Sequence, residues 1–276
     1  MDINMLKKTA VDVRIGIIEA IHNAGSGHPG GSLSVADIVT ALYFDVMNID
    51  PENPKMKGRD KCIFSKGHAG PAQLSAMGLR GYFPMEDFTE GLRKMGSKFQ
   101  GHPNIKIPGI EMSTGSLGQG FSVAVGMSLA NKMDNDPGTV FVVLGDGELQ
   151  EGLVWEAAMS AAHYKLDNIV AIVDHNGLQI DGRNDDVMTV NPISQKFESF
   201  GWKTKVIDGH DMNEIQKTVS EAKDAKDGPV AIICKTVKGK GVSFMEGQAG
   251  WHGKAPNDEQ YAQAIEELNA VKAALE

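Results

Sequence analysis

Residues 139–182 read TVFVVLGDGELQEGLVWEAAMSAAHYKLDNIVAIVDHNGLQIDG. TVFVVLGDG (139–147) is an apolar run that stops at Gly-Asp-Gly, which reads as a strand buried on both faces. LVWEAAMSAAHYK (153–165) reads as a helix, and NIVAIVDHN (168–176) as a second buried strand. Strand, helix and strand make one crossover unit, which sets the two strands parallel with their ends close together. Asp146 and Asn176 each fall just past a strand's carboxyl end. Ligands of open α/β sheets bind outside those ends. A carboxylate and an amide carbonyl there are hard oxygen ligands for Mg²⁺ or Ca²⁺. Gly145 and Gly147 would let the backbone come close to a phosphate. Asp-Gly and Asn-Gly are also common turn dipeptides, so it is the paired spacing that carries the reading.

The pattern continues outward. KTKVIDG (203–209) is a more exposed strand, MNEIQKTVSEAK (212–223) a helix and PVAIICKTV (229–237) another buried strand. Upstream, KCIFSKGHAG (61–70) is a short strand ending in a glycine loop. Helices are expected at 4–22, from Ser34 as N-cap to Val46, at 71–80, and over GQGFSVAVGMSLANKM (118–133). Residues 81–116 read as irregular. A last helix begins near Asn257, with Gln260 as capping-box partner. The fold class expected is α/β, a mostly parallel central sheet with helices on both faces, in one domain spanning 1–276.

Composition narrows the function. The chain has 276 residues and a formal net charge of −9, with no basic run, so no nucleic-acid partner is expected. No apolar stretch approaches the roughly 18 residues of a membrane span, and the N-terminus lacks a signal-peptide core. The two cysteines, Cys62 and Cys234, make no framework, which suits a reducing cytoplasm. Glycine is abundant, 32 of 276 residues against a usual share of about 7%. The glycines cluster at the ends of apolar runs.

Four histidines lie in glycine-flanked loops: His28 in GHPG, His68 in KGHAG, His102 in QGHPN and His252 in WHGK. Imidazoles suit diphosphate contacts, hydroxyl recognition and proton transfer near neutral pH. Their scatter fits no zinc motif. His22 and His163 lie on expected helices and read as structural. His175 and His210 carry no clear reading. TGSLGQG (114–120) opens a helix, where backbone amides can meet an anion or a polar ring. No dinucleotide fingerprint or P-loop is present. The long connector from Lys238 to Pro256, with five glycines, is of a length that is usually functional or disordered.

The segments GDGELQEG through DHNGLQIDG, with SGHPGGSLS, SKGHAG, GHPN, STGSLGQG and WHG in that order, resemble the thiamin diphosphate enzymes, and transketolases in particular. The resemblance covers nearly the whole chain. It implies that Asp146, Asn176 and the backbone carbonyl of Leu178 hold a divalent metal, Mg²⁺ with Ca²⁺ or Mn²⁺ as alternatives. It implies that Gly147 lies against the diphosphate, and that His68 and His252 contact the diphosphate or reach the reacting centre. Gly115 and Leu117 resemble backbone contacts to the aminopyrimidine, and Glu151 a carboxylate of the subunit-contact network. His28 and His102 resemble histidines facing the donor's hydroxyls and the reacting carbonyl, so that His28, His102 and His252 are the catalytic candidates. Ser116 departs from the family, standing where many relatives have proline.

The family's second thiamin-binding domain and its C-terminal domain do not fit in the residues after Ala255. The resemblance therefore implies the diphosphate-binding half of a split transketolase, which acts on sugar phosphates and forms an α₂β₂ assembly with a second subunit. Two other readings stand beside it. One is another split thiamin diphosphate enzyme with a different acceptor. The other is a regulatory homologue without chemistry, against which the intact polar residues count. An isolated chain is expected to expose apolar surface around TGSLGQG and LQEG.

Overall fold

The computed structural model describes residues 1–275. Five strands form one fully parallel sheet: β1 (Lys61–Phe64), β2 (Val140–Gly145), β3 (Ile169–His175), β6 (Lys203–Asp208) and β7 (Val230–Lys235). Their order across the sheet is β1-β2-β3-β7-β6. Val142 pairs with Ala171, and Ala171 in turn with Ala231, so the three central strands are in register at mid-sheet. The crossover read at 139–182 is therefore the centre of the sheet. Two short strands, β4 (Leu178–Gln179) and β5 (Gly182–Arg183), pair antiparallel just beyond β3.

Side chains alternate across the sheet and supply two cores. Phe141, Val143, Val170, Ile172, Val230 and Ile232 face one way. The core on that side runs through α1 (Ile3–Ala24), α3 (Ala36–Ala41), α4 (Gly70–Arg80) and α10 (Met212–Asp224), with α11 (Asp258–Ala273) packed on α1. Val142, Leu144, Ala171, Val173, Ala231 and Ile233 face the other. They meet α6 (Gln119–Met133), α7 (Gly152–His163) and α9 (Ile193–Ser199). This explains the unbroken apolar strands, since both faces are covered and neither side needs polar residues.

Helix α1 matches the expected helix at 4–22. The Asp2 side chain accepts from Asn4 N and Met5 N to cap its start, and Gly25 at φ +61° ends it. The Asn257–Gln260 capping box opens α11 as expected. Two expectations are corrected. Ser34 is not an N-cap. It ends α2 (Pro29–Ser34), which starts at a proline in the first turn, and its hydroxyl donates to the buried Asp174 carboxylate at 2.6 Å. Residues 81–116 are not wholly irregular, because α5 (Met85–Gly91) forms there over the buried Phe88. Between β3 and β6 lie the β4–β5 pair, α8 (Asn184–Val187) and α9, elements too short for a periodicity reading. Among the described residues, no helix is long and apolar enough to cross a membrane.

Candidate functional site

A cavity of about 390 Å³ opens at the carboxyl ends of β1, β2 and β3. It gathers His28, His68, His102 and His252 with Gly115, Leu117, Asp146, Gly147, Glu151, Asn176 and Leu178. All the site residues singled out from the sequence thus line one space, although they span more than 220 positions of chain.

The glycines explain the convergence of the histidine loops. A Cβ on Gly67 would lie 2.7 Å from Gly115 N, and one on Gly70 would lie 2.6 Å from Gly101 O. The loop after β1 is therefore stacked between the loops that carry Gly115 and His102, which any larger residue would push apart. His28 is the hub of the cluster. Its ring centroid is 5.6 Å from His68, 6.0 Å from His102 and 5.5 Å from His252. His68 and His252 are 5.0 Å apart.

All four rings are held neutral at pH 7. Burial, then the charge of Arg93, the His102 ring where it is protonated and the charge of Lys238, lower His28 to about 4. Burial and Lys238 lower His252 to about 3. Burial sets His68 well below its usual value, and burial with Arg93 lowers His102. A neutral imidazole has one donor and one acceptor nitrogen. The Lys238 ammonium donates to His252 Nδ1 at 2.9 Å, which leaves the ring proton on Nε2.

At the floor, Asp146 is 2% exposed. Its Oδ1 accepts from Gly147 N at 2.8 Å and its Oδ2 from Gly177 N at 2.6 Å. The second bond ties the turn after β3 to the end of β2, as the spacing requires. Burial, and then the neighbouring Asp174, push the Asp146 carboxyl above its usual range. Asn176 donates its amide to Asp174 Oδ2 at 3.1 Å, and its Oδ1 accepts from Leu178 N at 3.1 Å. Among the described residues, no three His, Cys, Asp or Glu side chains cluster as a self-sufficient metal site. A single carboxylate with an amide oxygen and a backbone carbonyl suits Mg²⁺, which is usually held by one or two carboxylates and completed by phosphate oxygens and water. The donor set fits a metal–diphosphate pair better than a metal alone.

Sequence reading missed several residues here. Lys66, in SKGHAG, is 1% exposed and ion-paired with Asp174, which is fully buried. Burial pushes the Asp174 carboxyl up, but Lys66 and the Ser34 and Thr236 hydroxyls outweigh it and hold it below its usual range. Both residues stand inside motifs already quoted, and only the fold shows that they meet. Lys238 lies in the long connector. Its ammonium also donates to Leu178 O at 3.3 Å, and burial with the Lys66 charge lowers it to about 8. The two ammonium groups make the cavity receptive to an anion. Glu148 is buried, accepts from Gly118 N at 2.8 Å and Gly145 N at 3.0 Å, and also binds Ser65 Oγ. It ties the TGSLGQG turn to β1 and β2.

The other histidines lie outside the cavity. His22 stacks on Tyr261 with centroids 4.2 Å apart, and His163 ends α7, which agrees with structural roles. His210 bonds Asp37 at 2.8 Å and accepts from Val237 N at 2.9 Å. His175 ends β3. Leu117 is half-buried, and the exposed apolar residue at the cavity rim is Ile180, 67% exposed, on the β4–β5 turn. Ile180 and the exposed Val187 and Met188 lie beside LQEG, where Gln150 Nε2 donates to Gln179 Oε1 and to Met188 O, each at 2.7 Å.

A family model described as "Transketolase, thiamine diphosphate binding domain" matches residues 5–272. The 6-deoxy-6-sulfo-D-fructose transketolase subunit SqwG of Clostridium sp. is 44% identical over 264 residues, covering 95% of this chain and 96% of that protein. An apulose-4-phosphate transketolase subunit of Phocaeicola vulgatus is 41% identical, covering 98% of this chain and 95% of that protein. The crystal structure of transketolase from Campylobacter jejuni superposes with a TM-score of 0.90 at 33% identity, covering all of this chain and 46% of that one. The chain therefore spans nearly the full length of the two subunits and under half of the longer enzyme.

Proposed function

The chain belongs to the transketolase family of thiamin diphosphate-binding domains, and from that premise we propose that it is the diphosphate- and metal-binding subunit of a two-chain transketolase. The complete enzyme would move a two-carbon ketol unit from a ketose phosphate to an aldose phosphate in the cytoplasm. The partner subunit would carry the pyrimidine-binding and C-terminal domains, the two pairing as α₂β₂. The observation that carries this reading is the convergence of four neutral histidines, Asp146 and Asn176 on one cavity.

In this reading Asp146, Asn176 Oδ1 and Leu178 O hold Mg²⁺, with Ca²⁺ or Mn²⁺ as substitutes. Gly147 lets the diphosphate approach, and His68, Lys66 and Lys238 offset its charge. Backbone groups of Gly115 and Leu117 seat the aminopyrimidine, and Glu151 at the rim reaches toward the partner. Thiamin diphosphate, when bound, supplies a thiazolium that serves as the electron sink for the two-carbon unit. His252, with its proton on Nε2, donates toward the reacting oxygen. His28 and His102 hold the sugar's hydroxyl and carbonyl oxygens, and their neutrality lets each donate or accept a proton.

The test is product analysis. Both chains, thiamin diphosphate, Mg²⁺ and a ketose phosphate labelled at its first two carbons are mixed with an aldose phosphate. Label in a product two carbons longer is expected. A folded complex that binds the cofactor yet transfers label to no aldose phosphate overturns the reading.

A second outcome separates sugar contacts from cofactor contacts. His102→Ala should reduce kcat/KM for the donor by roughly 10- to 150-fold, the effect of losing one hydrogen bond in a partly charged site. Calorimetry should find thiamin diphosphate affinity nearly unchanged. An equal loss in both would move His102 to the diphosphate end.

A further inference from the structure

Arg93 takes no part in the motifs or in the cavity lining, yet its placement is costly and specific. It follows α5 with φ +56°, a left-handed conformation that a long side chain rarely adopts. Such strain persists only where the surroundings over-determine it. The backbone N–H donates to Phe99 O at 2.7 Å, closing the 93–99 loop. One guanidinium nitrogen, Nη1, donates to Ser26 Oγ at 2.6 Å, two residues before His28. A Cβ on Gly101 would lie 2.8 Å from Arg93 Nε, so the guanidinium packs directly against the residue before His102. That Nε is buried and has no hydrogen-bond partner. Arg14 and Arg59 are paired with Asp37 and Glu111, whereas among the described residues no ion pair includes Arg93.

We propose that Arg93 is a positioning residue for His28 and His102, bracing the loop of one through Ser26 and the loop of the other at Gly101, and so setting the geometry with which the two rings grip the ketose donor. This rests on the reading of those histidines as sugar-facing. The two rings come from loops about 75 residues apart and meet at a 6.0 Å centroid distance. No hydrogen bond joins them directly, and the guanidinium supplies the missing link. Its charge also favours the neutral form of both rings, acting on His28 together with His102 and Lys238. His68 and His252 are the other titratable rings against His28.

The test uses the two-chain enzyme carrying Arg93→Met, Arg93→Lys or Arg93→Gly. Arg93→Met should lower donor kcat/KM by roughly 10- to 150-fold and leave thiamin diphosphate affinity unchanged by calorimetry. Removing a positive charge raises an imidazole pKa. The acid limb of kcat/KM should therefore move to higher pH, and imidazole resonances of His28 and His102 should titrate at higher pH by NMR. Arg93→Lys keeps the charge but not the planar fork. It should restore the titration without restoring donor use. Arg93→Gly accepts φ +56° without strain and should stay folded while losing donor use like Arg93→Met. Unchanged donor kcat/KM in folded Arg93→Met and Arg93→Gly overturns the proposal, as does a cofactor affinity that falls in step with donor use. If the wild-type pair transfers no ketol unit, the transketolase reading fails instead. The imidazole titration then still decides whether Arg93 acts on the two rings.

Discussion

Asp146→Ala in the assembled enzyme should abolish the gain in thiamin diphosphate affinity that Mg²⁺ provides. The carboxylate is 2% exposed and sits where β2 and β3 end side by side. Both of its oxygens hold backbone amides, of Gly147 and Gly177, so it is fixed in place before any cation arrives. It is the one charged donor of the proposed metal set, since Asn176 and Leu178 offer neutral oxygens. Breaking a buried charge pair by removing one partner costs about 3–5 kcal/mol, which is roughly 150- to 5,000-fold in affinity. Asp146→Asn removes the charge and keeps the shape, so it separates loss of the cation from collapse of the two turns. Calorimetry with and without Mg²⁺ reads both variants. Wild-type cation dependence in either one would remove Asp146 from the metal shell.

The largest effect expected is a complete one. The 276-residue chain alone, given thiamin diphosphate, Mg²⁺, a ketose phosphate and an aldose phosphate, should show no turnover above background, and supplying the partner chain should produce it. The cavity's floor and one wall offer oxygen donors, ammonium groups and neutral imidazoles suited to a diphosphate and a sugar. This chain covers only 46% of the C. jejuni transketolase, so more than half of that enzyme lies outside the match. A cavity completed on one side leaves the reacting ring in water, without the preorganised, water-excluding surroundings that lower the barrier. The partner is best sought as the product of the neighbouring reading frame, with roughly 300 residues as its size prior. Robust turnover by the purified single chain, free of host transketolase, would refute the split arrangement.

Much of this protein was legible locally. The strands of residues 139–176 announce themselves because both faces of a parallel sheet are covered, so Val140–Leu144 and Ile169–Val173 are apolar throughout. The GDG and DHNG turns follow at once, and a right-handed crossover has little choice but to set Asp146 beside Asn176. The glycine-flanked histidines were visible too, for the glycines that let their loops stack are part of the same short motifs. The sequence by itself therefore determined the parallel crossover, the strand ends at which the cavity opens and the residue types gathered there. Tertiary structure decided the partnerships between distant segments. Lys66 and Asp174 are separated by 108 positions and meet only because β1 and β3 flank β2. Ser34 looks like a helix cap in one dimension, yet its hydroxyl serves that same buried carboxylate from another element. Arg93 reads as one more charged residue in an irregular stretch until Ser26 and Gly101 are seen against it. Periodicity reports which face of an element is buried. The pairing of buried charges depends instead on which loops the sheet order brings together, and the linear order of residues does not contain that arrangement.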